Sequence, residues 1–342
     1  MTCYTQLQST KTESKLNEIQ KIIDKYKAKN YIVPILHLLI TLLLVFFCFM
    51  EIIKSKNSKV IGVFIVLLSL LLVRLFIIFH DMVHKSYFPS DEREKKIQGV
   101  NFYTSLLLQP FILYSSYDWN KTHSQHHLAH GNTNEYDGTK TVITLENYNK
   151  LPFLLKILYD FIHIPFLFYP ALSLYVFFIR NIIKFDFQFI VILFIFIYSL
   201  FKFGKKRFVY NYIIATFIAG IIGVMLFHLQ HQVNIGYYQP FNNDDYVQKK
   251  NADLKGASVL KIPYFLKFFT FGIEYHNVHH FDPGVPGYNI QKCHEELVEK
   301  GLIEDNKISY IQSFKSLFHS YYDENSKRYI SNSFFRSIGL EA

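Results

Sequence analysis

Fifteen histidines occur in the 342 residues, and their spacing carries the chemistry. In HDMVH, His80 and His84 stand four residues apart, so on a helix they project from one face and reach a common point. In HSQHH, His123 precedes His126 and His127 by three and four residues; HNVHH repeats the pattern with His276, His279 and His280. Such a set on a helix puts three imidazoles on one face, able to supply ligands to one or two metals. The ring does not select the metal, because neutral imidazole suits iron, zinc, copper and nickel. Number says more: the eight histidines of the three boxes, with His231 of HLQH, exceed the four ligands of a zinc site. They fit two metals with open positions for an oxidant. Asp81, Glu274, Asn277 and Asp282 are polar neighbours available to fix the imidazole tautomers.

The elements that must position these groups are apolar. Half of the residues are hydrophobic and 18% are aromatic, gathered into long runs and not spread at amphipathic periods. Ile32 to Met50 is an uncharged run, and Val60 to Phe79 is broken only by Arg74; each can cross about 30 Å of hydrocarbon as a helix. Further runs are Val100 to Tyr117, Phe161 to Ile179, Phe187 to Phe201 and Phe208 to Phe227. If all the histidine clusters line one site, they share one side of the bilayer, and an even number of crossings separates each from the next. Val100 to Tyr117, alone between the first two boxes, is therefore expected to lie in the interface or to dip in and return. Phe161 to Ile179, with Pro165 and Pro170, is the run expected to stay uncrossed.

This leaves an all-α integral-membrane protein of one domain, 1–342. Four transmembrane helices are expected at about 32–52, 59–79, 187–203 and 208–227, with interfacial helices and a helical cap of 81–156 and 229–342 carrying the metals. Both termini then share the histidine side with Lys85, Arg93, Lys95, Lys96 and Lys121, against loops holding Lys54, Lys56 and Lys59, and Lys205, Lys206 and Arg207. The positive-inside rule puts the site in the cytosol. The excess of 36 Lys and Arg over 27 Asp and Glu flanks apolar runs, which accounts for it by lipid headgroups and not by nucleic acid. Cys3, Cys48 and Cys293 lie too far apart for a disulfide framework or zinc knuckle. No cleaved signal peptide is read before the first run.

A redox-capable metal site at the membrane face can receive an apolar chain and activate dioxygen beside an unactivated C–H bond. A metal transporter or sensor would instead need polar residues within its spans, and VIGVFIVLLSLLLV supplies almost none. Of the remaining candidates, His37 reads as a hydrogen-bonded packing residue and Arg74 as a side chain snorkelling to the catalytic face. His130 reads as a surface or supporting residue before a spare ligand. His228, on the face of His231, is carried as a possible ligand. His163, His294 and His319 read as structural, and Trp119 as an anchor or tunnel wall.

Taken together, HDMVHKSYF, WNKTHSQHH with the following Gly131 and Asn132, QHQVNIGYY, and EYHNVHHFDPGVPGYNIQKCHEEL resemble the membrane fatty acid desaturase family, particularly its bacterial-type acyl-lipid branch. The resemblance runs in register from about 31 to 300. It departs at Asn120, where such sequences usually carry Arg, and in NTNEYDG, which lacks the basic residues common after the second box. It implies that His80, His84, His123, His126, His127, His231, His276, His279 and His280 bind two iron ions. It also implies that dioxygen and two electrons from a separate ferredoxin or b-type cytochrome with its reductase drive insertion of a double bond into a membrane-lipid acyl chain. Hydroxylases and ketolases carry similar motifs and form the alternative reading.

Overall fold

The computed structural model describes residues 3–90, 99–135, 137, 141–184, 186–234 and 236–340; the side chains of 3–11, 182, 203–205 and 207 lie outside the description. Arg93, Lys95 and Lys96, read as histidine-side charges, therefore fall outside it, as do the side chains of Lys205 and Arg207.

Helices dominate. α1 (Cys3–Tyr26) precedes α2 (Ile32–Lys54) and α3 (Ser58–Val83), whose connecting turn is closed by the Asn57 side chain accepting from the Lys59 amide at 2.9 Å. Both helices are long and apolar enough to cross a membrane, as is Phe208–His231; Phe187–Lys202 is apolar but shorter. α2 and α3 turn Val45, Cys48, Ile52, Leu68, Leu71, Leu75 and Ile78 toward each other and leave Leu36, Leu43, Phe46, Val63 and Val66 exposed. Such an apolar exterior is costly in water and costs nothing against lipid.

α4 (Val100–Ile112) has 13 residues, about 20 Å of helix, too short for a bilayer core. Leu113 then takes a left-handed conformation at φ 51°, and Ser105 Oγ lies 2.8 Å from Ser116 Oγ at the start of α5 (Ser116–Ala129). Eleven residues of straight helix would hold those atoms about 16 Å apart, so the chain reverses direction within this run. α6 (Phe153–Ile162) and α7 (Pro165–Leu174) meet at an 83° bend, at the break that Pro165 imposes. Helical bonding continues from Phe187 to His231 as α8. Yet the Phe196 and Tyr212 rings sit 5.6 Å apart where sixteen residues of straight helix would span about 24 Å; the chain doubles back between them.

The remainder corrects the all-α expectation. Two small sheets occur: β1 (Ile143–Thr144) pairs in parallel with β4 (His319–Asp323), which forms a hairpin with β5 (Arg328–Ser331), while β2 (Val259–Leu260) pairs in parallel with β3 (Lys307–Ile308). α9 (Tyr246–Gly256), the short α10 (His276–Phe281) and α11 (Gly287–Glu299) complete the parts that matter for the site.

The lysine-bearing N-terminal arm is an amphipathic helix. Leu16, Ile19, Ile22 and Ile23 of α1 are buried against Val278, Phe281, Ile290, Cys293 and Leu297. Each such side chain contributes roughly 1.5–3 kcal/mol on leaving water, whereas the half-exposed Lys27–Asp282 and Lys25–Glu296 pairs add under about 1 kcal/mol each. The apolar face therefore docks α1, and the charges set its orientation beneath the third histidine box.

Candidate metal centre

Four separate segments deliver ten imidazoles to one place. His80 and His84 close α3, His123, His126 and His127 lie on α5, His231 is the last residue of α8, and His276, His279 and His280 occupy the buried α10. His130, at the C-terminal cap of α5, is the tenth.

The rings sort into two adjoining groups. In the first, His80 Nε2 lies 2.9 Å from His123 Nε2, which is 3.2 Å from His127 Nε2, itself 3.1 Å from His279 Nε2. The His84 ring faces those of His123, His127 and His279 at 4.8–4.9 Å. In the second, His231 Nε2 lies 3.1 Å from His126 Nε2 and 2.9 Å from His276 Nε2, with His280 Nε2 at 3.2 Å from His276. Stacking of His127 on His280 at 4.3 Å joins the groups. One potential ligand atom from each of His80, His84, His123 and His279 falls within 4.8 Å of the others, and the same holds for His126, His130, His231 and His280.

This donor set fits cations. Two imidazole Nε2 atoms at 3 Å can share only one proton, so a ring of such contacts directs several lone pairs at a common centre. Burial, with the neighbouring imidazoles adding to it, holds His123, His127, His276, His279 and His280 well below the ordinary imidazole value. They are neutral at pH 7, the form that ligates. The His84 Nε2 atom is buried with no hydrogen-bond partner, as expected of a donor aimed at a metal.

Two carboxylates orient the rings from behind. Asp81 Oδ1 is 3.1 Å from His80 Nδ1 while its Oδ2 accepts from the Gly287 amide at 2.7 Å. Asp137 Oδ2 is 3.0 Å from His126 Nδ1. Each keeps a proton on Nδ1 and leaves Nε2 free to face inward. Of the four polar neighbours proposed from sequence, only Asp81 contacts a histidine in this way. Glu274 accepts from Thr270 at 2.8 Å, Asn277 from the Val278 amide, and Asp282 pairs with Gln20 and Lys27. Asp137 escaped the sequence reading. It sits ten residues beyond its box, and an acidic residue flanking a histidine cluster was the one signal available.

The other histidines are accounted for elsewhere. His228 is 2.8 Å from the Ser316 carbonyl and stands outside both groups. His163 contacts the Tyr159 and Thr141 carbonyls, His294 contacts Asp305, and His319 contacts the Gln232 carbonyl. His37 lies against Arg74 at 3.1 Å within the membrane helices. Arg74 does not snorkel: it is 2% exposed and hydrogen-bonded on every side. His130, read as peripheral, is instead buried in the second group.

On the membrane side, Trp119 stacks on His123 at 4.6 Å and meets Phe76 edge-on at 4.9 Å. Phe76 lines an apolar pocket with Leu72, Val73, Phe111, Phe177 and Gly223. A second pocket borders the other group through His126, His130 and His231, and Tyr237, Tyr322 and Tyr329 wall it.

Residues 58–314, a span that includes both histidine groups, match the family model described as fatty acid desaturase. A fatty acid desaturase of Bacillus subtilis (strain 168) is 31% identical over 282 residues, covering 78% of this chain and 75% of the relative.

Proposed function

Because the chain belongs to the fatty acid desaturase family, and is thus an oxidoreductase acting on fatty acyl chains at a membrane, we propose that nine of its clustered imidazoles serve a two-iron site that desaturates the acyl chain of a membrane lipid. The observation that carries this reading is the pair of adjoining imidazole groups, the first of them linked to an apolar pocket by Trp119, which stacks on His123 and meets Phe76 of the pocket wall.

His80, His84, His123, His127 and His279 would hold one metal and His126, His231, His276 and His280 the other. When bound, such a pair supplies reduction of dioxygen with two electrons from a separate donor and two protons; two hydrogens leave neighbouring methylenes, and two waters form. The protein's own contribution is positional. Asp81 and Asp137 fix ring orientation, and burial holds His123, His276, His279 and His280 in the neutral, ligating form. The wall of Leu72, Val73, Phe76, Phe111 and Phe177 offers a chain of methylenes dispersion contacts, and the Thr216 hydroxyl that also lines the pocket is spent on the Tyr212 carbonyl. Holding the reacting carbons still against the metals is where such a wall lowers the barrier.

Docking of α1 against α10 and α11 supports an N-terminus on the histidine side, where Lys15, Lys21, Lys25, Lys27 and Lys29 add to Lys85 and Lys121. That balance favours a cytosolic site, reached by a soluble or membrane-bound ferredoxin or b-type cytochrome. The decisive experiment expresses the protein in a desaturase-poor host and compares lipid methyl esters with those from a His126→Ala control. Unsaturated chains are expected only with the intact protein; hydroxylated chains would replace desaturation with hydroxylation.

A further inference from the structure

His130 lies outside the HSQHH box, three residues past its end, where α5 gives way to the turn at Gly131. The chain continues the helical face of His123, His126 and His127: 130 follows 126 by four and 123 by seven. Its ring is 4% exposed, stacks on His280 at 3.8 Å and faces His231 at 5.1 Å and His126 at 5.9 Å. One of its nitrogens lies within 4.8 Å of donors on His126, His231 and His280.

The surrounding backbone makes room for this ring in that place. Gly256, at the end of α9, would carry a Cβ 2.7 Å from His130 Nε2; any side chain there would push the imidazole out. Gly131 at φ +70° would place a Cβ 2.8 Å from Ala252, so the turn that sets His130 inward also needs its glycine.

We infer that His130 is a direct ligand of the metal in the second group, so that this chain surrounds its two metals with five imidazoles each. The inference rests on the two-metal reading above and extends it. It adds His130 to the four histidines already assigned to the second metal, matching the five of the first. His130 also lines the pocket that borders His126 and His231.

The test measures iron per chain in detergent-purified protein, together with cobalt(II) titration of the metal-free protein followed by its visible absorption. His130→Phe keeps a flat ring against His280 and removes the donor nitrogen; His130→Ala removes both. Gly256→Ala keeps all ten histidines and displaces the ring. All three are expected to weaken the second cobalt site at least tenfold and change its spectrum, leaving the first site intact. If His130→Phe or His130→Ala binds two cobalt ions with wild-type affinity and spectrum, while His231→Ala loses one, the inference is overturned and the two-metal reading stands. If His231→Ala and His126→Ala also bind two ions unchanged, the two-metal reading itself fails.

Discussion

Arg74, midway along an apolar helix, donates from Nε to Thr41 Oγ1 at 2.8 Å and so ties α3 to α2 inside the membrane layer. Its Nη1 donates to the Phe268 carbonyl, its Nη2 meets His37 Nδ1 at 3.1 Å, and its guanidinium lies over the Phe268 and Phe271 rings at 4.1 and 4.3 Å. No carboxylate takes part in these contacts; three neutral acceptors and two π faces do what a counter-ion would. The segment so gripped, 268–271, leads directly into the third histidine box.

Arg74→Lys keeps the charge but cannot reach three acceptors from one ammonium, leaving buried groups unsatisfied. Thermal unfolding in detergent is expected to show a loss of about 1–3 kcal/mol. Iron content is expected to fall as the third box loosens. Unchanged stability and iron would mean that the grip on Phe268 is incidental.

Asp137 and Asp81 make a matched pair, one behind each histidine group. Asp137→Asn and Asp81→Asn should each weaken metal retention about 10–100-fold, as loss of such partners does elsewhere. Chelator competition measures this, with Glu274→Gln, which touches no clustered histidine, as the unaffected control. Equal retention in all three would remove the carboxylates from the account.

Much of the site was legible because helical periodicity turns spacing into direction: positions i, i+3 and i+4 must share a face wherever the helix lies. The even-crossing rule set Val100 to Tyr117 as a segment that lies in the interface or dips in and returns, and the Ser105–Ser116 contact shows the chain reversing there. What stayed hidden depends on tertiary contact. Nothing local in the sequence says that α1 docks under His276–Phe281, that Arg74 faces inward, or that Gly256 leaves space for His130. The hairpin β4–β5 was missed because its strands are only five and four residues long.

That hairpin supplies a pH dependence away from the metals. Burial holds His319 in β4 down to about 4, while its Nδ1 contacts the Gln232 carbonyl at 2.7 Å. A folded-state value below the unfolded one, about 6.5, means full stability above pH 6.5 and progressive loss as pH falls toward 4. The gap amounts to roughly 3 kcal/mol. Hydrogen exchange across 319–331 is expected to accelerate through that window, and His319→Gln to flatten the dependence. A profile identical in the variant would assign the acid sensitivity to another group.

Gly220 and Gly223, one helical turn apart on α8, both border the apolar cavity but differ in what lies beyond them. A Cβ on Gly220 would stand 2.3 Å from Ser173 Oγ and 2.8 Å from the Phe177 ring, so Gly220→Ala must pry α8 away from its neighbour. A Cβ on Gly223 meets nothing within 4 Å. Gly223→Leu therefore adds volume where there is space, at little cost to folding, and removes space that an acyl chain would use. The two substitutions separate packing from substrate fit. Gly220→Ala is expected to lower the unfolding temperature by the several degrees that overpacking of about 1–3 kcal/mol produces, with the surviving enzyme making the same products. Gly223→Leu is expected to leave the unfolding temperature near wild type and to shift products toward shorter chains or cut conversion at least tenfold. Wild-type chain lengths and yield from a stable Gly223→Leu protein would show that the chain binds elsewhere, and Trp119 would then have to be re-examined as its neighbour.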